Sequence, residues 1–245
     1  MSSLSQLRER VYEANRELPR RGLVLYTFGN ASGIDRERGV FVIKPSGISY
    51  ENLTPDKMVV LDLNCRVVEG SLNPTSDTET HAVLYRAFPN IGGVVHTHSP
   101  FATAWAQAMR SIPCFGTTHA DHVPGEIPCT SVMSANQIRG DYEEETGNQI
   151  LACFRDRKLS PGDVEMVLVA GHGPFTWGKE AAEAVQSAVV LEEVAMMAWH
   201  TLAMAPDTPP MQRALLDRHY LRKHGKDAYY GQKPTKRDTG VSEDE

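Results

Sequence analysis

The segment at residues 92–100 restricts the possible folds most, because it joins a short apolar run to two histidines and ends at a proline. Val94 and Val95 predict a buried β-strand, and side chains two residues apart on a strand lie on the same face. His96 and His98 are therefore expected to point the same way and to be able to bind one metal ion together. Either histidine taken alone is more often an ordinary core or surface residue.

A third histidine follows a second apolar run far downstream. His172 lies between two glycines, directly after an apolar stretch at residues 164–170. Three neutral imidazoles that leave one coordination position open are typical of a catalytic rather than a structural zinc site. We therefore predict a catalytic Zn²⁺ centre, although Mn²⁺ and Co²⁺ also suit imidazole ligands. Asp77 is a candidate further ligand or nearby base, but as a helix cap it would need no chemistry.

Composition excludes some classes of function. With 245 residues, the chain can form one large domain or two small ones, and its formal net charge of -6 argues against nucleic acid as a partner. A small phosphorylated substrate remains possible, because backbone N–H groups and one lysine can hold it. Four scattered cysteines, with no Cys-x-x-Cys pair, favour free thiols in the cytoplasm. The N-terminus lacks signal-peptide features, and no run approaches a membrane span, so no membrane partner is expected.

Helices and strands are interspersed along the chain, without internal repeats. Strand clusters interrupted by helices predict an α/β fold with a mixed or mainly antiparallel sheet. Apolar spacing predicts helices over residues 4–18, 78–88, 101–109, 181–204 and 211–223, and one more that Ser134 caps and whose clearest part is 142–154. Strands are predicted over residues 23–28, 40–43, 58–63, 66–68, 164–170 and 175–177, with a turn at 29–33 and loop over most of 111–130. Residues 233–245 are polar, have no apolar period and are predicted to be disordered.

Two short segments are candidates for binding a phosphate group. Thr75 and Ser76 place two hydroxyls at a predicted helix N-terminus, where backbone donors and the helix dipole favour an anion. Lys44, Ser46 and Gly47 offer a cation, a hydroxyl and a glycine that lets a ligand approach the backbone. For either segment alone, a simple cap or turn is the more common explanation.

Two further side chains are candidates for proton transfer. Asp121 lies in a predicted loop after Thr118 and His119, and catalytic groups often lie in loops. Most loop aspartates, however, are solvated turn residues. Tyr230 belongs to a tyrosine pair beyond the last predicted helix. It is either a packing anchor or a phenol that reaches the site of a neighbouring subunit.

These motifs together resemble the class II aldolase/adducin-like superfamily, over nearly the whole chain from the first helix to residue 232. The elements that carry the resemblance are Gly29-Asn30-Ala31-Ser32, Lys44-Pro45-Ser46-Gly47, Ser76-Asp77, His96-x-His98 and Gly171-His172-Gly173. Within that superfamily the chain is similar to the L-ribulose-5-phosphate 4-epimerase family. Those epimerases carry an aspartate where the related aldolases carry a glutamate, and this chain has Asp77 there. Thr75 departs from the usual serine but keeps a hydroxyl.

The resemblance implies a function for each of these residues. The three histidines would bind the metal, with Asp77 as a ligand or close neighbour, and the substrate and its phosphate would be held by Asn30, Lys44, Ser46, Gly47, Thr75 and Ser76. Asp121 and Tyr230 would be the acid/base pair, with Tyr230 coming from an adjacent subunit of a homotetramer.

It also implies a fold and a reaction. The fold would be a three-layer one, with helices on both faces of the sheet in a single catalytic domain at residues 1–232. The implied reaction interconverts L-ribulose 5-phosphate and D-xylulose 5-phosphate by retro-aldol cleavage and re-addition at C-4. A sugar-phosphate aldolase of the same fold, and a non-catalytic adducin-like interaction module, are the alternatives.

Overall fold

The strands form one antiparallel sheet. The structure, a computed structural model, describes residues 4–225 and residue 228, so Tyr230 and the predicted tail lie outside the described residues. The strands are β1 (Asn30–Asp35), β2 (Val40–Ile43), β3 (Val59–Asp62), β4 (Val67–Glu69), β5 (Gly93–His96), β6 (Met166–Leu168) and β7 (Pro174–Gly178). Their order in the sheet is β4-β3-β2-β1-β5-β7-β6, and all neighbours are antiparallel. The predicted mainly antiparallel sheet is confirmed.

Helices cover both faces of this sheet. They are α1 (Leu4–Arg20), α2 (Thr78–Ala87), α3 (Pro100–Gln107), α4 (Thr117–Ala120), α5 (Ala135–Arg139), α6 (Tyr142–Asp156), α7 (Ala181–Met204) and α8 (Arg213–His224), with a short 3₁₀ turn at Pro55–Lys57. Val95 packs among residues of α1 and the start of α7, whereas Val94 packs among residues of α2, α3 and α6. Side chains alternate between the two faces of β5 and therefore contribute to two hydrophobic cores, one on each face of the sheet. This confirms the predicted three-layer α/β fold.

The prediction for residues 23–33 is wrong. Residues 23–28 form no strand, and β1 occupies the stretch that was predicted to be a turn. The small residues of β1 are there for packing. The Asn15 side chain of α1 bonds both the N–H and the C=O of Ala31 at 2.9 Å, and a Cβ on Gly33 would lie 2.8 Å from a side-chain atom of α1. A strand that touches a helix this closely cannot carry bulky side chains on that face.

Further along the chain, most of the predicted elements are present with shifted ends. The α7 bounds agree to the residue, and the hairpin of β3 and β4 is confirmed. Ser134 does cap a helix, through a reciprocal capping box with Gln137, but that helix is the short α5, which ends at Arg139 before α6 begins. Residues 117–120 form the short helix α4 rather than loop. No helix in the described part of the chain has both the length and the apolar character to cross a bilayer.

Candidate metal centre and substrate cleft

Three histidines from two parts of the chain meet at one end of the interior strands β5 and β7. His96 ends β5, His98 lies two residues beyond it, and His172 lies in the turn between β6 and β7. One ring nitrogen from each lies within 4.8 Å of the others. The ring centroids are 4.7 to 5.1 Å apart. This spacing is compatible with three imidazoles around one ion.

The sheet register explains why His96 faces the cleft. It lies opposite Asn30 on one neighbouring strand and opposite Phe175 on the other. Directly opposed residues on antiparallel strands have side chains on the same face. The His96 ring accordingly stacks on the Phe175 ring, with centroids 4.2 Å apart and an interplanar angle of 16°. The phenyl ring thus holds the orientation of this imidazole.

The protonation of the histidines suits metal binding. His96 Nδ1 lies 2.9 Å from the Pro174 carbonyl oxygen, and because a carbonyl can only accept, this nitrogen carries the proton and leaves Nε2 free. His96 Nε2 and His98 Nε2 lie 3.1 Å apart. Burial, and then the neighbouring charge of His96, lowers the pKa of both other histidines, that of His172 to about 4. Neutral imidazoles are the ligand form, so this donor set fits a divalent metal such as Zn²⁺.

Asp77 lies at the N-terminus of α2 in the same cleft but outside that cluster of ring nitrogens. Asn30 Nδ2 donates to its Oδ2 at 2.6 Å. Burial would raise the pKa of this carboxyl, but the electrostatic interactions with His96 and His81 and the bond from Asn30 outweigh it and lower the pKa. Asp77 is therefore a carboxylate at neutral pH, next to the predicted metal ligands.

A cleft of about 560 Å³ extends from the histidines. Its lining includes every residue that the sequence suggested for substrate and phosphate: Asn30, Lys44, Ser46, Gly47, Thr75 and Ser76. The two candidate phosphate segments lie side by side, because Ser46 N donates to Asn73 O at 2.9 Å and Thr75 N donates to Lys44 O at 3.1 Å. The structure thus brings together two segments that are separate in sequence.

Two polar groups in this cleft have fewer hydrogen-bond partners within the described part of the protein than they can accommodate. The Lys44 side chain is only 2% exposed; its Nζ donates to Pro45 O at 3.3 Å and lies 5.1 Å from the Tyr50 ring centroid. Burial lowers the pKa of Lys44 to about 8. The Asn30 Oδ1 atom is buried and has no hydrogen-bond partner within the described residues. A buried cation and a buried acceptor in a cleft are suited to an anionic, hydroxylated ligand.

Comparisons with known proteins agree with the set of residues that this cleft contains. Residues 9–199 match the model of the Class II Aldolase and Adducin N-terminal domain. The chain belongs to this family. It is 51% identical over 230 residues to the L-ribulose-5-phosphate 4-epimerase UlaF of Salmonella paratyphi C (strain RKS4594), a match that covers 94% of this chain and 100% of that relative. The family resemblance that the motifs predicted is confirmed.

Solved structures of class II aldolases share the fold. An L-fuculose 1-phosphate aldolase superposes with a TM-score of 0.76 at 20% identity, covering 91% of this chain and 98% of that one. A sugar-phosphate aldolase from Thermotoga maritima gives a TM-score of 0.59 at 18% identity, covering 81% of this chain and 95% of the other. At this identity the likeness concerns the fold alone.

Asp121 is not among the residues that line the cleft of its own chain. It follows α4 and joins this helix to α8, accepting hydrogen bonds from Arg222 at 2.7 Å and from His219 at 2.9 Å. Lys223 Nζ lies 3.6 Å away. Desolvation opposes ionisation, but these partners, Arg222 foremost, lower the pKa of Asp121 to about 2. Tyr230, the second residue that the sequence suggested for proton transfer, lies outside the described residues.

The cleft also contains residues that the sequence did not suggest. Tyr142 and Glu143, from the first turn of α6, line it together with Thr27 and Phe28. The Tyr142 hydroxyl lies 3.4 Å from His172 Nδ1. No motif marks this tyrosine, because it reaches the cleft only through the packing of α6 on α2. Its position at the start of a predicted helix was the one local signal available.

Proposed function

We propose that this protein is a divalent-metal-dependent 4-epimerase that interconverts L-ribulose 5-phosphate and D-xylulose 5-phosphate. The observation that carries the proposal is the 51% identity to a relative of that name along its whole length. The cleft supports it, because three histidines lie at one end and a lysine, two hydroxyl residues of the α2 start and a glycine turn line the remainder. We assign residues 1–232 to one catalytic domain.

The reaction needs the kind of chemistry that this site offers. The hydrogen on C-4 of the substrate is not adjacent to the carbonyl and is not acidic, so the centre is inverted by breaking and re-forming the bond between C-3 and C-4. A divalent cation held by His96, His98 and His172, with Asp77 beside it, would supply Lewis-acid stabilisation of the negative charge that this cleavage creates.

The chain's own residues would hold the substrate and move its protons. Lys44 and the hydroxyls of Ser46, Thr75 and Ser76 would keep the phosphate in place. The aldehyde fragment would meanwhile rotate and present its other face to C-3. Of Asp121 and Tyr230, one would accept the proton of the C-4 hydroxyl during cleavage, and the other would donate a proton when the bond re-forms. The two groups must therefore lie on opposite faces of the fragment.

Assembly and location are part of the proposal. We assign Zn²⁺ as the metal and a homotetramer with active sites between subunits as the assembly. Asp121 supports this, because it does not line the cleft of its own chain and has to come from a neighbour to act there. We place the enzyme in the cytoplasm, where the four free cysteines would stay reduced.

The decisive experiment is a coupled assay for D-xylulose 5-phosphate with L-ribulose 5-phosphate as substrate. Turnover is expected to stop after treatment with a chelator and to return with Zn²⁺, and His96→Ala should be inactive with or without added metal. Release of dihydroxyacetone and glycolaldehyde phosphate without epimer would instead identify an aldolase. If the protein neither turns over the substrate nor binds metal, the non-catalytic interaction module would be the remaining alternative.

The role of Asp121 gives a second test. Asp121→Asn should fold and bind metal, but turn over slower by roughly a factor of 100 or more if the carboxylate transfers a proton. Unchanged turnover would remove Asp121 from the mechanism.

A further inference from the structure

The Tyr142 side chain lies beside one of the three histidines. Its hydroxyl is 3.4 Å from His172 Nδ1, and the two rings are 6.2 Å apart at their centroids. We propose that Tyr142 is a positioning residue for the metal centre: its phenol oxygen accepts a hydrogen bond from His172 Nδ1–H, which would leave Nε2 of that ring as the atom that binds a metal ion. This inference rests on the metal-dependent function proposed above.

The comparison with His96 supports this assignment. His96 Nδ1 is held by the Pro174 carbonyl at 2.9 Å, which leaves Nε2 as its ligand atom. His172 lies in a turn, after Gly171 with φ +71°, and its backbone N–H donates to Val169 O at 3.0 Å. The hydrogen-bond partner that the described residues offer to its Nδ1 is the Tyr142 hydroxyl, which comes from a different part of the fold. Such outer partners orient metal-binding imidazoles and raise their basicity.

The position of Tyr142 is held by packed helices rather than by a loose loop. Thr80 in the first turn of α2 donates its hydroxyl hydrogen to Glu143 O at 2.6 Å, and Thr80 is 1% exposed. One turn further along α6, Gly147 lies so close to α2 that a Cβ there would be 2.6 Å from Val83 Cβ. The helix start that carries the phenol is thus attached to the helix that begins after Asp77. A rigid support of this kind is what an orienting residue requires.

The competing role for Tyr142 is direct action on the substrate. The phenol lines the cleft, so it is also placed to contact a bound sugar phosphate. Metal affinity and turnover, measured separately, distinguish the two roles. A positioning residue changes how tightly the protein holds its metal, whereas a group that acts only on substrate changes turnover of the fully metal-loaded enzyme and leaves metal affinity as it was.

The test is the metal affinity of Tyr142→Phe, measured without substrate by competition with a chromophoric chelator. Removal of an outer partner of a ligand typically weakens metal binding by about 10- to 100-fold, and we expect a loss in that range for Zn²⁺. The absorption bands of the Co²⁺-loaded protein should also change, since the ring of His172 is free to turn. Turnover at saturating metal is measured beside it, and a fall in turnover without a loss of metal affinity would assign Tyr142 to the substrate instead.

Two further variants complete the experiment. Tyr12→Phe removes a phenol hydroxyl from α1, outside the cleft, and should leave metal affinity and the Co²⁺ spectrum unchanged. Thr80→Val releases the start of α6 while keeping Tyr142, and should weaken metal binding in the same direction but less. Unchanged metal affinity in Tyr142→Phe overturns the inference, whatever happens to turnover. If the unmodified protein itself binds no metal, the proposed function fails instead, so the two failures are distinguishable.

Discussion

Lys44 is the residue whose ionisation most directly affects the proposed function. It is almost fully buried, and burial lowers its pKa to about 8. Below that pH the ammonium group is charged and can attract a phosphate; above it the group is neutral. A buried lysine that lines a cleft therefore makes phosphate binding sensitive to pH in a range where ordinary surface lysines stay charged.

We predict from this that kcat/KM for L-ribulose 5-phosphate falls as the pH rises through about 8, because kcat/KM follows the ionisation of the free enzyme. The measurement is a pH–rate profile at saturating metal. Lys44→Arg is the matched control, since a guanidinium keeps its charge throughout this range. The same alkaline fall in Lys44→Arg would show that another group is responsible.

Gly29 shows how a single backbone position shapes the candidate metal site. Its φ is +74°, and a Cβ there would lie 2.8 Å from the His96 carbonyl oxygen and 2.8 Å from Val24 Cγ1. The residue thus needs both a left-handed backbone and the absence of a side chain. The strand that carries the first histidine can come this close only because position 29 is a glycine.

Gly29→Ala should therefore destabilise the fold and also weaken metal binding. Gly39→Ala is the matched control, because Gly39 has φ +65° but a Cβ added there would meet no atom within 4 Å. Both variants strain the backbone, and Gly29→Ala should lose a further 1–3 kcal/mol, roughly, from overpacking. Denaturant unfolding and chelator competition measure the two effects. Equal unfolding free energies for the two variants would contradict the steric account.

At the scale of elements, periodic patterns predicted what regular packing requires. The stripe of Leu7, Val11 and Leu18 is buried in α1, and α7 spans the residues expected from its apolar composition. The short strand β1 was missed because residues 30–33 lack the β-branched and aromatic residues that mark strands. Its side chains are small because β1 packs closely against α1. A contact with a helix that is distant in sequence leaves no periodic signal in the strand.

The contact between α2 and α6 gives a prediction at this scale. Gly147→Ala would normally stabilise a helix by about 1 kcal/mol, but here the added methyl group meets Val83 at 2.6 Å. We expect net destabilisation by roughly 1–3 kcal/mol. In a Val83→Gly background, which removes the Cβ and both methyl groups that the added carbon would meet, the same change should be neutral or stabilising.

A double-mutant cycle from denaturant unfolding, at one protein concentration, measures this coupling. We expect a coupling free energy of at least about 1 kcal/mol between the two positions. Additive effects would show that α6 moves freely away from α2, which would also weaken the case for Tyr142 as a rigidly held residue.

For the whole molecule, the division of the site between chains is the main consequence of the proposed function. The proposed metal and phosphate residues lie in one chain's cleft, and Asp121 is bound to α8 outside it. In a cyclic assembly each site would combine the cleft of one subunit with the acid/base residues of the next. Such a site is incomplete in a single subunit.

Co-expression of two inactive variants tests this arrangement. His96→Asn damages the metal side, and Tyr230→Phe damages the proton-transfer side. In mixed rings, about a quarter of the sites would combine two undamaged halves, so activity should return to roughly that fraction. The separately purified variants, mixed without exchange of subunits, are the control. No recovery in verified mixed oligomers would place the whole site within one chain.

The sequence by itself determined the candidate metal ligands, the candidate phosphate-binding segments and the family. These depend on residue types that chemistry demands at short spacings, such as His96-x-His98, and such local patterns can be recognised directly. The antiparallel sheet and the long helices followed from periodicity, because burial on one face repeats along an element.

Only the tertiary structure decided which distant segments meet. The pairing of the Lys44 and Thr75 loops, the close contact of β1 with α1 and the approach of Tyr142 to His172 all depend on surfaces separated in the chain. The physical reason is that a close contact is satisfied jointly by two elements. Neither element's residues indicate it alone, so a tyrosine at the start of a helix becomes a neighbour of the metal centre only after α6 has packed on α2.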